Sequence, residues 1–335
     1  MNHWQTSKKN SGIGRRDFLK VGAGLGAAML IGPSNLVFAQ TKKRISIATG
    51  GMGGVWFPLG GGIATVISKY IPGVEAAAEV TAAAVDNCKL VAAGKSDLGL
   101  AIGDVASDAL NGTGKFKEKL PLVTMATLYS SIVHLVTLQG KGNNTVADLK
   151  GKKVSTGAPN SGTESMALRI LEASGIDPDK DIKRDRLGAS ESAGALKDGK
   201  IDAYFWTGGV PTASVLDLAS TPGIKISLIP HGETVPKMVA KYGNVYFKGD
   251  VAKGSYPGVE TEVPVAMVAN MLVCHEKMDA NLVYEILKTM FDHHAELVAI
   301  HKEALNIKLE TATLGSPLPF HEGAIRFYRE RGINL

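Results

Sequence analysis

Four short segments of the sequence are rich in glycine and hydroxyl-bearing residues, and each runs from a predicted strand into a predicted helix. They are Thr49–Trp56, Thr81–Asn87, Gly157–Glu164 and Thr207–Thr212. The first turn of a helix presents N–H groups at the positive end of the helix dipole, so it binds anions without a cationic side chain. Each segment could instead be only a tight turn, with Ser161 or Thr163 as a helix cap. The four together favour a site for a small anion.

Motifs for nucleotide binding are incomplete. Counted from Gly51, the sixth position of a dinucleotide fingerprint is Trp56 rather than glycine. Gly94-Lys95-Ser96 resembles the end of a phosphate-binding loop, but Lys89 stands where the first glycine of that loop must be. The sequence therefore argues against a nucleotide site.

Catalytic and metal-binding patterns are also incomplete. Ser161 lies between Pro159 and Thr163 rather than between the two glycines of a nucleophile elbow. The eight histidines are scattered and form no H-E-x-x-H motif or Cys/His cluster. The sequence predicts no cofactor, no metal and no enzyme; an exported enzyme is the alternative.

Apolar runs that alternate with helical patterns surround these segments. A β-rich run at residues 44–49 precedes a helical pattern that ends near Tyr70, and a second strand at residues 153–156 precedes a helix at 164–174. This alternation predicts an α/β protein with largely parallel sheets. Because strand, Gly-rich loop and helix occur twice, we expect two similar lobes. We expect a partly irregular segment over residues 228–264 and one outer helix over 282–301.

Composition excludes several classes of protein. The chain has 335 residues and a net charge of +5, with a mean hydropathy of +0.06 that argues against a multi-span membrane protein. Residues 1–39 carry five basic residues and one acidic residue, so the remaining 32 basic and 31 acidic residues leave a charge of only +1. Binding to nucleic acid is therefore not predicted. Two cysteines, Cys88 and Cys274, exclude a disulfide scaffold, and they could be one disulfide or two buried thiols.

The N-terminus has the order of regions of a secretory signal peptide. A basic segment precedes the apolar run Val21–Ile31, and Val37-Phe38-Ala39 is a small-residue cleavage pattern. Arg15–Lys20 resembles a twin-arginine (Tat) signal. We predict a signal peptide over residues 1–39, cleaved after Ala39, with the Tat export machinery as a partner and the periplasm as destination. An uncleaved anchor and an ordinary Sec signal are the alternatives.

Several further segments occur in an order and spacing that we recognise. They are Thr49-Gly50-Gly51 with Gly54–Gly60, Asp86-Asn87, Asp97-Leu98-Gly99, Asp104-Val105-Ala106, Leu149–Ser155, Gly157–Glu164, Asp198–Ala203 and Pro211-Thr212. With them the chain resembles the solute-binding receptors of TRAP transporters, TAXI subfamily, over residues 44–335. Single segments recur in many type II periplasmic binding proteins, and only their combination is specific.

The resemblance implies an α/β, two-lobed type II periplasmic-binding-protein-like fold with the ligand cleft between the lobes. Residues 44–130 plus 262–335 would form one lobe and residues 131–261 the other, with hinges near 129–138 and 262–265. It also implies a small organic acid ligand, such as a glutamate-like amino acid or a 2-oxo acid, and the subunits of a sodium-driven integral membrane TRAP permease as partners. A ligand-sensing adaptor on the same fold is a further alternative.

The resemblance also assigns ligand-binding positions residue by residue. They are Gly51, Gly54, Val55, Trp56, Thr81, Ala84, Asn87, Ile102, Ser161, Gly162, Thr163, Trp206, Gly209 and Thr212. Ala84 stands where the family often has Ser, and Ile102 where it often has Gln. Both differences remove hydrogen-bonding groups, so we expect one end of the ligand to be less polar than glutamate. Trp56 and Trp206 could equally be core aromatics.

Overall fold

The computed structural model of the protein describes residues 42–335, which form ten strands and ten α-helices. The strands are β1 (Lys43–Ala48), β2 (Val74–Glu79), β3 (Leu98–Ile102), β4 (Leu122–Leu138), β5 (Lys153–Ser155), β6 (Lys183–Asp185), β7 (Ala203–Gly208), β8 (Ile226–Leu228), β9 (Tyr246–Val251) and β10 (Val263–His275). The helices are α1 (Trp56–Tyr70), α2 (Ala84–Ala92), α3 (Gly103–Asn111), α4 (Gly162–Ala173), α5 (Ala189–Lys197), α6 (Ala213–Ala219), α7 (Val235–Tyr242), α8 (Ala280–Asp292), α9 (His294–Ile300) and α10 (Glu322–Glu330).

All ten strands belong to one sheet, whose central path has the order β2-β1-β3-β10-β4-β7-β5-β6. The pairs β1–β2, β1–β3, β5–β6 and β5–β7 are parallel. Every pair that involves β4 or β10 is antiparallel. The sheet is therefore mixed, and the expectation of largely parallel sheets holds only for its two outer parts.

The long strands β4 and β10 join the two parts of the sheet. Residues 122–132 of β4 pair with β10, and residues 132–137 pair with β7. Residues 270–274 of β10 pair with β3, whereas residues 263–268 pair with β9. The β1–β3 half is the part built on β1, β2 and β3, and the β5–β7 half is the part built on β5, β6 and β7. The predicted lobe limits at residues 130/131 and 261/262 stay a prediction.

The strand–loop–helix units form for local reasons. In α1 the buried residues Leu59, Ile63, Val66 and Ile67 recur at helical spacing, so one face packs against the sheet. The helix ends at Tyr70 because Ile71 is extended, and Gly73 adopts a positive φ of 75° in the turn that leads to β2. In α4 the Ser161 hydroxyl caps the helix by accepting a hydrogen bond of 3.1 Å from the Glu164 N–H.

One hydrophobic cluster runs from the β1–β3 half into the β5–β7 half. It contains Val91 and Val105 of α2 and α3 as well as Ile170 of α4 and Met238 of α7. The two halves are thus packed together on this side of the sheet as well as being connected by β4 and β10.

Two local expectations fail in the structure. Residues 228–264 contain α7 and β9 rather than an irregular return, and the predicted outer helix over 282–301 breaks at His293 into α8 and α9. The apolar runs at 122–127 and 133–138 belong to the single strand β4. Cys88 and Cys274 are buried and unbonded, and burial raises the pKa of both thiols to about 12.

The predicted signal peptide and its cleavage site lie outside the described residues. Within residues 42–335, no helix combines the length and apolar character needed to span a bilayer.

Candidate functional site

A cavity of about 400 Å³ lies where the carboxyl ends of the parallel strands meet. Its lining consists of Gly50–Trp56, Thr81–Ala83, Ile102, Ala158, Ser161–Thr163, Gly188–Glu191 and Trp206–Gly208. These residues follow or end β1, β2, β3, β5, β6 and β7, so both halves of the sheet contribute. Ligands of open α/β sheets bind at this edge.

Three helices begin at the cavity. The first residues of α1, α4 and α5 are Trp56, Gly162 and Ala189, and all three belong to the lining. Their N-terminal N–H groups and helix dipoles give the cavity a positive potential without a basic side chain. A carboxylate or similar anion is the ligand group that such helix N-termini bind best.

The cavity lining contains no lysine, arginine or histidine. Its one ionisable side chain is Glu191, which is exposed. Behind the first turn of α4, the buried carboxylate of Glu164 pairs with Arg184 at 2.5 Å and with Arg186 at 2.7 Å. Arg184 also pairs with Asp179 at 3.3 Å, so the two guanidinium groups and the two carboxylates behind α4 compensate one another.

Two tryptophans form walls of the cavity, and both are half-buried. The Trp56 indole donates to Asn270 Oδ1 of β10 at 2.8 Å, and Asn270 Nδ2 donates to Ser131 Oγ of β4 at 2.6 Å. Trp56 is therefore fixed to the two strands that connect the halves. The Trp206 indole donates to Thr212 Oγ1 at 2.9 Å.

Glycines let the two halves approach each other at the cavity. A Cβ on Gly54 would lie 2.9 Å from the Trp206 ring, and one on Gly162 would collide with Ile102. The Val85 N–H also donates to the Asn160 carbonyl at 3.2 Å across the same boundary. Side chains at these glycines would hold the cavity open.

The structure brings ten of the predicted site residues together in the lining. They are Gly51, Gly54, Val55, Trp56, Thr81, Ile102, Ser161, Gly162, Thr163 and Trp206. Their three hydroxyls already have protein partners, including the Ser161 hydroxyl that caps α4. Thr81 donates to Asn87 Oδ1 at 2.6 Å, and Thr163 Oγ1 accepts from the Thr207 N–H at 3.1 Å.

The other four predicted residues do not line the cavity. Ala84 is buried, near the place where a Cβ on Gly162 would be. Asn87 is fully buried, and its amide donates to the carbonyls of Thr49 and Leu100. Gly209 and Thr212 lie in the loop after β7, where they support Trp206 from behind.

The cavity also contains residues that the sequence analysis missed. The segment Gly188–Glu191 contains the N-cap and the first turn of α5. It comes after β6, a three-residue polar edge strand whose residues have no apolar pattern that would predict a strand–loop–helix unit. The adjacent small residues Gly188, Ala189 and Ser190 were the only sign of it. Thr207 was named only as the start of a loop, yet its buried Oγ1 has no hydrogen-bond partner among the described residues.

Comparison with known proteins identifies related sequences and folds. A family model described as the NMT1-like family matches residues 47–332. A binding protein component of a phosphonate ABC transporter from Pseudomonas aeruginosa has a TM-score of 0.53 and 12% identity, over 80% of each chain. MatC from Rhodopseudomonas palustris, solved with bound malate, has a TM-score of 0.51 and 12% identity over 78% of this chain and 88% of that one.

These structural similarities show the fold. The chain has the two-lobed α/β fold of periplasmic binding proteins, which confirms the fold class predicted from the sequence.

Proposed function

Because the chain belongs to the NMT1-like family, we propose that it is a solute-binding receptor that captures a small organic anion and passes it to a membrane permease. The observation that carries this proposal is the cavity, where three helix N-termini from both halves of the sheet converge on one space of about 400 Å³. A volume of this size suits a small metabolite. The lining has no histidine, lysine or cysteine that could form a catalytic pair with its hydroxyls, and its one carboxylate, that of Glu191, is exposed.

The lining also favours one class of anion. One carboxylate fits the N–H groups of the helix N-termini, but a second would find no cationic side chain in the lining. Val55, Ile102 and the two indoles supply apolar surface in the same cavity. Glu191 would repel a second negative charge. The proposed ligand is a monocarboxylate with an apolar remainder.

Ligand capture would be coupled to closure of the two lobes. We propose the predicted division into residues 44–130 plus 262–335 and residues 131–261, with β4 and β10 as the hinge. A ligand held by α1 on one side and by α4 and α5 on the other stabilises the closed state, because only that state offers both sets of contacts.

The proposed location follows from a sequence feature outside the described residues, and the proposed partner follows from the motif pattern. The Tat-like signal supports delivery to the periplasm. The motif pattern supports a sodium-driven TRAP permease as the membrane partner. An ABC permease is the second candidate, because a similar structure is a component of an ABC transporter. An adaptor for a membrane sensor would use the same closure.

A thermal-shift screen tests the proposal directly. The purified protein is unfolded and refolded to remove carried ligand and is then screened against monocarboxylates, dicarboxylates, 2-oxo acids and amino acids. A ligand at about 100 times its Kd stabilises by about 2.7 kcal/mol, a shift of a few degrees. We expect pentanoate-type acids to shift Tm more than pentanedioate-type acids of the same length.

The variant I102Q tests the proposed ligand class. It places an amide on the apolar wall, so the preference should move toward the dicarboxylate. A wild-type preference for dicarboxylates would contradict the ligand class but not the receptor. No shift across the panel, or conversion of a bound compound, would contradict the receptor itself.

A further inference from the structure

Glu303 is a buried acid whose partners lie outside the cavity lining. It belongs to a short 3₁₀ helix over Lys302–Asn306 that follows α9, and it is 4% exposed. Within residues 42–335, no lysine, arginine or histidine nitrogen lies within 4.0 Å of its carboxylate. Burying a carboxylate without a cation is costly unless hydrogen bonds hold both of its oxygens.

Both oxygens of Glu303 are used as acceptors. Oε2 accepts from the Val210 N–H at 2.9 Å, and Oε1 accepts from Asn306 Nδ2 at 2.8 Å. Val210 follows β7, whereas the segment that carries Glu303 contributes Ala304 to the core around α1 and α8. The Val210 bond therefore connects the β1–β3 half to the β5–β7 half. The same carboxylate lies 2.5 Å from the position of a Cβ on Gly209, so the loop has no room for a side chain there.

The loop held by Glu303 supports a wall of the cavity. The Gly209 carbonyl accepts from Thr212 Oγ1 at 2.7 Å, and that hydroxyl in turn accepts from the Trp206 indole at 2.9 Å. Gly209, Val210 and Thr212 are thus one continuous connection between the Glu303 carboxylate and the Trp206 ring. Glu303 itself lines a different cavity, of about 510 Å³.

We propose that Glu303 is a positioning residue that fixes the loop after β7 and thereby the orientation of Trp206 in the ligand cavity. A glutamate suits this task because it reaches Val210 and offers two acceptors at one end. The effect on ligand affinity rests on the proposed function, but the effect on Trp206 does not.

Trp206 can report on its own environment. The chain has three tryptophans, Trp4, Trp56 and Trp206, so the W4F/W56F background leaves Trp206 as the single fluorophore in the full chain. The measurements are its emission maximum and its quenching by acrylamide, without any ligand.

Two variants separate the effect of side-chain length at position 303 from the effect of its charge. E303D keeps the charge but withdraws the carboxylate from the Val210 N–H, while E303Q keeps the length and one acceptor for that N–H. We expect red-shifted emission and stronger quenching in E303D, with E303Q closer to wild type. E310D is the matched control, because Glu310 is exposed in the turn after this 3₁₀ helix and makes no hydrogen bond or ion pair among the described residues.

If Trp206 emission and quenching are altered in E303Q but remain like wild type in E303D, the proposal is overturned, because the charge of Glu303 and not its length would then control Trp206. Unchanged Trp206 emission and quenching in both folded variants would also overturn it. With a ligand from the thermal-shift screen, E303D should lower affinity about tenfold, the loss expected for one hydrogen bond to a charged group. If the screen yields no ligand, the receptor proposal fails while the Trp206 result remains decisive for Glu303.

Discussion

Arg169 of α4 forms an ion pair between the two halves of the sheet. Its guanidinium lies 2.8 Å from Asp104 Oδ2 and 2.5 Å from Asp108 Oδ2, both on α3, and it donates to the Tyr246 hydroxyl at 2.6 Å. Asp104 is fully buried, and burial raises the pKa of its carboxyl although the Arg169 charge opposes the rise. The carboxylate therefore depends on this guanidinium.

The change Arg169→Met should cost about 3–5 kcal/mol, because it leaves the Asp104 carboxylate buried without its cation. At about 2.1 cal/mol/K per residue over about 300 residues, this corresponds to a fall in Tm of about 5–8 °C. The double variant D104N/R169M should be more stable than R169M alone, because the uncompensated charge is gone. Urea unfolding and calorimetry at pH 7 measure wild type, R169M, D104N and the double variant.

The matched control is Lys180→Met, which removes a cation from the exposed pair with Asp177. Its cost should stay within about 1 kcal/mol. A cost of R169M as small as that of the control would refute the reasoning. So would additivity of R169M and D104N, because residues that share an ion pair must show a coupling energy.

Two further predictions concern buried polar groups. Thr163→Ala should destabilise the protein by about 1–3 kcal/mol, because it leaves the Thr207 N–H without its acceptor. Thr163→Ser keeps the hydroxyl and should retain most of the stability. Equal urea midpoints for wild type and T163A would contradict this prediction. Burial lowers the pKa of His134 and His231 from 6.5 to about 4. Between these two pH values the unfolded chain therefore binds protons at both histidines, whereas the folded protein keeps them neutral. Stability should therefore fall as pH decreases from about 6.5 toward 4, and urea unfolding of H134Q and H231Q should give a shallower pH dependence than wild type.

Local patterns in the sequence predict much of the ligand cavity. The glycines between β1 and α1 and the Ser161 cap of α4 are recognisable without a structure, because each acts within a few residues of itself. Eight of the ten predicted site residues that line the cavity lie in the glycine-rich segments, whereas Ile102 and Trp206 were assigned by the family resemblance alone. The loop after β6 could not be found this way, since a polar edge strand of three residues has no apolar periodicity.

Elements that depend on distant partners are predicted less well. Tyr129-Ser130-Ser131 interrupts an apolar pattern, yet β4 continues through it because β10 pairs with these residues. This partner strand begins more than a hundred residues after β4 ends. Tertiary pairing here outweighs local preference.

The sequence by itself determined which segments form strand–loop–helix units and that their loops carry helix N-termini rather than basic side chains. Tertiary structure decided which loops face one another, because that depends on strand order and on contacts between residues far apart. The Trp56–Asn270 hydrogen bond joins positions 214 apart, and the Glu303–Val210 bond joins positions 93 apart. No periodicity or motif records such pairs, since the free energy that selects them comes from packing and hydrogen bonding in the assembled fold.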